Sequence, residues 1–366
     1  MEIQAAVFRK VGEPFSIETL ELKGPRKGEV LVKVTAAGVC HSDYHLITGD
    51  LRHHKPVVPG HEGAGTVVEI GEGVSGLKEG DYVALNWAPN CGDCFYCKNE
   101  RPSLCSTFLP AVWAGTMQDG STRLSKGDEK IFHFSAISCF AEVAVVPQES
   151  CIVLSKDIPA PVAALIGCAV TTGVGAVRHT AEVEPGSFVA VFGAGGVGLS
   201  SVMGAKLAQA ERIIAVDVME SKLKLAQDFG ATDTLLASEE THKEIKALTD
   251  GRGADYVFEA IGNPAVQEQA LKALRPGGTL VLEGIAPMGS QTNLQGALIT
   301  RRELTIKGSY YGSANTTEDF PLYAEWYQEG KLDLDRLVSK TYPLEEINRA
   351  YDDLIAGKIA RGVIVL

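Results

Sequence analysis

The stretch VAVFGAGGVGLSS constrains the fold more than any other part of the chain, because it sets Gly193, Gly195 and Gly198 in a G-x-G-x-x-G turn between an apolar run and a helical run. In such a turn the first glycine permits the tight bend, the second leaves room for a pyrophosphate against the backbone, and the third lets helix and strand pack closely. The surrounding sequence supplies the frame this turn requires. From about residue 170, SFVAVFG, RIIAVDV, ADYVFEAIG and TLVLEGI alternate with helical patterns such as LSSVMGAKLAQA, SKLKLAQDFGA and AVQEQALKALRPGG. Strands this apolar are buried on both faces, so the pattern predicts an α/β domain with a doubly wound parallel sheet covered by helices.

That arrangement is the Rossmann type, and its first helix starts at Gly196 and Val197 with unpaired N–H groups and a partial positive charge facing a phosphate. Asp217 closes the next strand 19 residues after Gly198. A carboxylate there accepts hydrogen bonds from ribose hydroxyls and repels an additional 2′-phosphate, so NAD is the expected dinucleotide.

With 366 residues, the chain exceeds what one hydrophobic core usually serves, and two domains are expected. The first 165 or so residues are rich in Val, Gly and Pro, with strand-like runs EVLVKVTAAGV, GTVVEIG, DYVALNW and AEVAVVP between turn signals, which predicts a mostly β unit. Two helical patterns after residue 315 and a closing GVIVL strand are not assigned to either unit by pattern alone. A formal net charge of -12 without a basic run argues against a general nucleic-acid partner. Read as letters, no apolar run approaches the roughly 20 residues that span a bilayer, and the start MEIQAAVFRKVGEPF lacks secretory features, so no membrane partner and a cytoplasmic location are expected.

Four of the eight cysteines crowd into one polar loop as Cys91, Cys94, Cys97 and Cys105, spaced C-x2-C-x2-C-x7-C. Four thiolates at this spacing can close a tetrahedral shell around one zinc ion, a structural role because no coordination position is left open. A second set is scattered: Cys40 in GVCHSDYH, His61 and Glu62 in PGHEGAG, and Cys168 in LIGCAVTTG. Singly, each reads equally well as a core cysteine or a hydrogen-bonded side chain. Beside a dinucleotide motif, two thiolates and an imidazole can supply a three-ligand zinc site with its fourth position open to substrate.

Taken together, GVCHSD, GHEGAGTVVEIGEGV, the four-cysteine lobe, GTMQDGSTRL, GCAVTTG, GAGGVG with Asp217, and IARGVIVL resemble the zinc-containing alcohol dehydrogenases of the medium-chain dehydrogenase/reductase superfamily over nearly the whole chain. The resemblance implies a GroES-like, mostly β catalytic domain (1–169 and 313–366) with both zinc sites, a Rossmann NAD-binding domain (170–312), and an active site in the cleft. It implies two zinc ions per chain, with Cys40, His61 and Cys168 as catalytic ligands, Glu62 as a carboxylate approaching that metal, and Asp43 orienting His61. Ser42 would receive the alcohol proton and His45 would pass it to solvent. His41, Arg361 and Lys222 match cofactor contacts at the pyrophosphate and adenosine ribose, and Thr172 and Val197 match residues pressing on nicotinamide. Trp87, Phe134 and Tyr310 match positions around the alcohol channel, with Leu51 near its mouth and Ser135 beside Phe134. An apolar slot of this kind implies a primary aromatic or medium-chain alcohol, or its aldehyde, as substrate.

The long segment between Cys105 and Phe140 resembles the longer members of the family, which implies a homodimer. The chain also resembles the glutathione-dependent formaldehyde dehydrogenases, which act on a thiol adduct, and the bacterial nicotinoprotein alcohol dehydrogenases, which retain NAD(H). It departs from the first group after GVCHSD, where LITGDLRHHKP stands in place of an acidic GADPEG-like stretch. A noncatalytic zinc- and dinucleotide-binding protein is the alternative from another class, and the full ligand set with Ser42 argues against it.

Overall fold

A computed structural model of the chain describes residues 1–366, which divide into two compact units, Met1–Cys168 with Asn315–Leu366, and Ala169–Ala314. In the first unit the order is β1 (Glu2–Val7), β2 (Ser16–Leu22), β3 (Glu29–Val39), α1 (His41–Thr48), β4 (Val57–Val58), β5 (Gly63–Ile70) and β6 (Tyr82–Leu85). There follow α2 (Phe95–Lys98), α3 (Leu109–Ala114), β7 (Leu124–Lys126), β8 (Glu129–His133), β9 (Val143–Pro147), β10 (Cys151–Val153) and α4 (Ala160–Leu165). The second unit holds α5 (Thr171–Gly175), β11 (Phe188–Phe192), α6 (Gly196–Leu207), β12 (Arg212–Asp217), α7 (Glu220–Phe229), β13 (Asp233–Leu236) and α8 (Thr241–Leu248). It continues with β14 (Ala254–Glu259), α9 (Pro264–Ala273), β15 (Leu274–Leu282), α10 (Gly296–Arg302) and β16 (Thr305–Gly308). The chain then returns to the first unit as α11 (Thr316–Gln328), α12 (Leu334–Leu337), β17 (Val338–Pro343), α13 (Ile347–Ile355) and β18 (Arg361–Val365).

The first unit is built from two sheets. One runs β1-β2-β7-β8-β4; the other runs β10-β6-β5-β3-β18-β17, with β9 also paired to β3. The closing strand thus lies between β3, antiparallel, and β17, parallel, with Gly362 opposite Val39. A core of Ile3, Val7, Leu20, Leu31, Val58, Leu124 and Ile131 backs the first of these sheets. In the second unit six strands run wholly parallel in the order β13-β12-β11-β14-β15-β16, as buried apolar strands joined by helices should. Its core joins Phe192, Ile214, Val216, Val257, Leu271 and Leu280. Local signals set the helix ends: Asn263 caps α9 by accepting from Ala265 and Val266 N–H, with Pro264 at the first helical position.

One expectation needs correction. The helical stretch Ala160–Ala181 is 22 residues long and apolar enough by composition to cross a bilayer. Threonines and glycines interrupt the run when it is read as letters, but they do not interrupt the helix. Its most apolar 18-residue window is 89% buried, so the apolarity is that of a core helix.

The last residue of β8 is a buried imidazole that makes stability depend on pH. His133 is 1% exposed, and its Nε2 accepts the Arg123 backbone N–H at 3.0 Å. Burial, reinforced by the Arg123 and Lys130 charges, lowers its pKa to about 3. The unfolded chain therefore binds a proton below about pH 6.5 that the fold excludes, and stability falls as pH drops from there toward 3. Between pH 7 and 5 the loss from this residue is about 2 kcal/mol. His133→Gln keeps an acceptor without the titration, so urea unfolding at the two pH values should show a loss smaller by about that amount. Identical losses in parent and variant would remove the assignment.

Candidate metal and dinucleotide sites

Two sheet strands and one helix deliver the buried cluster. Cys40 follows β3 directly at the head of α1, His61 and Glu62 precede β5, and Cys168 projects from a wide helical turn at Ile166–Val170. Their ligand atoms all lie within 4.8 Å of one another, and all four residues are buried. Asp43 fixes the imidazole: its Oδ1 accepts the Gly60 N–H at 2.8 Å and its Oδ2 lies 3.0 Å from His61 Nδ1, which leaves Nε2 facing the cluster. Glu62 Oε2 accepts from Arg361 Nη2, while Glu62 Oε1 sits 3.9 Å from His61 Nε2 with no hydrogen-bond partner.

The electrostatics describe a site short of positive charge. A hydrogen bond from Cys168 holds the Cys40 thiol well below the ordinary thiol range against the effect of burial, and Arg361 and His61 assist. The same hydrogen bond and burial push Cys168 up. Burial opposes the His61 cation, but Asp43 and Cys40 outweigh it and raise its pKa. Burial brings Glu62 to about 7 despite Arg361. Two thiols sharing a proton, an imidazole with one nitrogen fixed and an orphaned carboxylate oxygen fit a divalent, thiophilic cation such as zinc.

The second cluster has another character. Cys91, Cys94, Cys97 and Cys105 also bring their sulfurs within 4.8 Å, with Cys94 Sγ 3.5 Å from Cys97 Sγ and 3.9 Å from Cys105 Sγ, too far for disulfides. The Cys94 N–H and the Thr107 hydroxyl donate to Cys91 Sγ at 3.3 and 3.2 Å, which favours its thiolate. The helix α2 within this loop buries none of its residues, and Phe95 is 71% exposed. With so little core, the loop owes its shape to whatever the four sulfurs hold.

Two rings line the buried cluster edge-on. Trp87 and Phe134 stand 6.3 and 5.9 Å from the His61 ring, at 88° and 69°. Ser135 follows Phe134 with φ +52°, Leu51 is half-buried, and Tyr310 belongs to the other unit. Ser42 Oγ lies 3.7 Å from Cys40 Sγ. His45, on the same helix, has its Nδ1 3.3 Å from Asp50 Oδ2. Sequence reasoning did not single out Asp50, Gly38 or His53. Asp50 also accepts from the Thr48 hydroxyl at 2.6 Å, and that bond, with His45 assisting, lowers its pKa. A side chain at Gly38 would meet Glu62 Oε2 at 2.0 Å, so Glu62 needs a glycine there. His53 packs edge-on against Phe134 at 5.4 Å. Only the HSDYHLITGDLRHH composition, dense in titratable residues, signals two of these three in advance.

In the second unit the glycine turn has the shape a dinucleotide requires. A Cβ on Gly198 would lie 1.7 Å from the Gly193 carbonyl oxygen, whereas one on Gly195 would point into open space, where a pyrophosphate fits. Asp217 ends β12 and accepts from Ala194 N–H at 2.8 Å and Met219 N–H at 3.0 Å. Gly173 lets α5 pack onto α6, since a Cβ there would lie 2.3 Å from the Val197 carbonyl oxygen, and Thr172 is the buried residue before it on α5. Lys222 is half-buried on α7. In the first unit His41 is exposed at the start of α1, and Arg361 is 4% exposed against Glu62.

Comparison with known proteins places these features. Residues 26–156 match the alcohol dehydrogenase GroES-like domain, and residues 196–329 match the zinc-binding dehydrogenase family. The chain is 40% identical over 368 residues to an NDMA-dependent alcohol dehydrogenase of Amycolatopsis methanolica, covering 100% of this chain and 99% of that protein. It is 40% identical over 372 residues to a class-3 alcohol dehydrogenase of Dictyostelium discoideum, covering 99% and 97%. Among solved structures, benzyl alcohol dehydrogenase from Acinetobacter calcoaceticus superposes with a TM-score of 0.94 at 33% identity, covering 100% of this chain and 99% of that one.

Proposed function

The chain belongs to the zinc-containing alcohol dehydrogenases of the medium-chain dehydrogenase/reductase superfamily, and from that premise we propose that it interconverts primary aromatic or medium-chain alcohols and their aldehydes with NAD. The observation that carries this reading is the buried convergence of Cys40, His61, Glu62 and Cys168 beside the edges of Trp87 and Phe134. Cys40, His61 and Cys168 would hold the catalytic zinc, with Glu62 approaching it, and Cys91, Cys94, Cys97 and Cys105 the structural one. Bound there, zinc would supply Lewis acidity toward an alcohol hydroxyl or a carbonyl oxygen, and NAD would supply the hydride acceptor or donor.

The protein's own groups do the rest. Ser42 takes the alcohol proton, and His45, oriented by Asp50, passes it outward. Asp43 keeps the His61 ring in its ligating orientation. Gly193, Gly195, Gly196, Val197 and Gly198 seat the pyrophosphate and Asp217 the ribose, with Lys222 as a basic neighbour and Thr172 and Val197 against the ring. Trp87 and Phe134, with Leu51 and Ser135, shape the alcohol slot. We place the protein in the cytoplasm as a homodimer.

The test is kcat/KM for benzyl alcohol, hexanol, ethanol and cyclohexanol. Four additional methylenes at roughly 0.8 kcal/mol each favour hexanol over ethanol by about 10²-fold when fully buried, and benzyl alcohol should rank beside it. Cyclohexanol should be poor next to Trp87. Trp87→Ala should narrow these differences; ethanol as best substrate, or an unchanged ranking in the variant, would overturn the slot. A second reading, retention of NAD(H) through turnover, is favoured by the likeness to the NDMA-dependent enzyme. Dinucleotide absorbance in protein denatured after extensive dialysis distinguishes the two.

A further inference from the structure

The carboxyl end of the parallel sheet holds an acid that the chemistry above does not use. Glu283 directly follows β15 and is 7% exposed. The Ser201 hydroxyl on α6 lies 3.0 Å from each of its carboxylate oxygens and 3.1 Å from the Val197 carbonyl oxygen. A serine hydroxyl has a single hydrogen, which does not serve three acceptors. Ser201 is thus the one donor within reach of Glu283 and is shared with the Val197 carbonyl, whereas a proton on Glu283 would let the carboxyl donate to Ser201 Oγ while Ser201 donates to Val197. The surroundings favour that state. The titratable neighbour whose charge Glu283 feels is Glu259, at the end of β14, and no cation pairs with Glu283. Glu259 is itself occupied, its Oε1 accepting from Ile261 and Gly262 N–H at 2.9 and 2.8 Å and its Oε2 from Gln267 on α9 at 3.2 Å. Burial, with Glu259 adding and Ser201 opposing, holds the Glu283 carboxyl well above the usual carboxylate range.

This chain of groups ends at the dinucleotide turn. Val197 is half-buried two residues beyond Gly195, where a Cβ would meet open space, and ligands of open α/β sheets sit outside the carboxyl ends of the strands. We propose that Glu283 sets the preference of this protein for oxidised over reduced dinucleotide: it is neutral in the free protein and with NADH, and ionises when the cationic nicotinamide ring of NAD+ binds. The proton leaves to solvent, the new carboxylate balances the charge of the ring, and no electrons move. An opposite charge nearby favours the ionised form, whereas the neutral ring of NADH gives no such incentive. The inference rests on the NAD reading above.

The experiment measures Kd for NAD+ and NADH at pH 7, together with the protons released on NAD+ binding, by calorimetry in two buffers of different ionisation enthalpy. Glu283→Gln is the informative variant, because Gln reproduces the neutral acid in shape but does not ionise. It should weaken NAD+ by roughly tenfold, leave NADH within about twofold, and reduce proton release. Ser201→Ala, which takes away the one donor to the carboxylate, should shift the same ratio in the same direction by less. An unchanged NAD+/NADH ratio and unchanged proton release in Glu283→Gln would overturn the proposal while leaving the NAD reading intact. Failure of the parent to bind either dinucleotide would overturn both.

Discussion

Cys168→Ser is expected to yield a folded protein with one zinc ion per chain instead of two and turnover reduced by about 10³-fold or more. The serine hydroxyl keeps the size of the thiol but does not ionise at neutral pH, so the buried cluster loses one of its two thiolates. The four-cysteine set is a separate group of residues and keeps its metal. Metal content by mass analysis, a thermal melt and NADH absorbance with a good alcohol substrate read the three consequences separately. A variant that matched the parent in turnover at matched zinc content would refute the role given to Cys168.

Cys97→Ser is expected to produce the opposite pattern. The loop from 91 to 105 has little apolar core of its own, so a lost ligand removes what holds it. A loss on the order of 4 kcal/mol lowers the melting temperature by roughly 10 °C. New proteolytic cleavage should fall within 91–105, while dinucleotide affinity stays as in the parent. If melting and cleavage are both unchanged, the four sulfurs do not share a metal that matters to the fold.

These two experiments rest on features of unequal legibility. The glycine turn and the four-cysteine spacing are local, and each states its geometry within about fifteen residues, so the parallel sheet and the sulfur cluster can be read from letters. The buried cluster is not local. Cys40, His61 and Cys168 each pass for core or surface residues until β3, β5 and the helical turn at Ile166–Val170 bring them together. The Glu62–Arg361 pair joins positions 299 residues apart, a separation no periodicity encodes. Glu283 reads in TLVLEGI as an ordinary acid after a strand, because burial of one side chain is set by what packs above it. The helix from Ala160 to Ala181 is hidden in the letters because small polar residues lower the apparent apolarity of a run without exposing it.

Placing β18 in the interior of a sheet also orders events during synthesis. The pairing of β3 and β17 with β18 waits until residues 361–365 have been made, and Glu62 waits as long for its guanidinium. The segment Ala169–Ala314, complete in itself, emerges earlier and is free to fold during translation. The metal cradle is therefore completed only after the nucleotide-binding unit has been made, and loss of residues 361–365 would leave β3 and β17 with unpaired edges open to association.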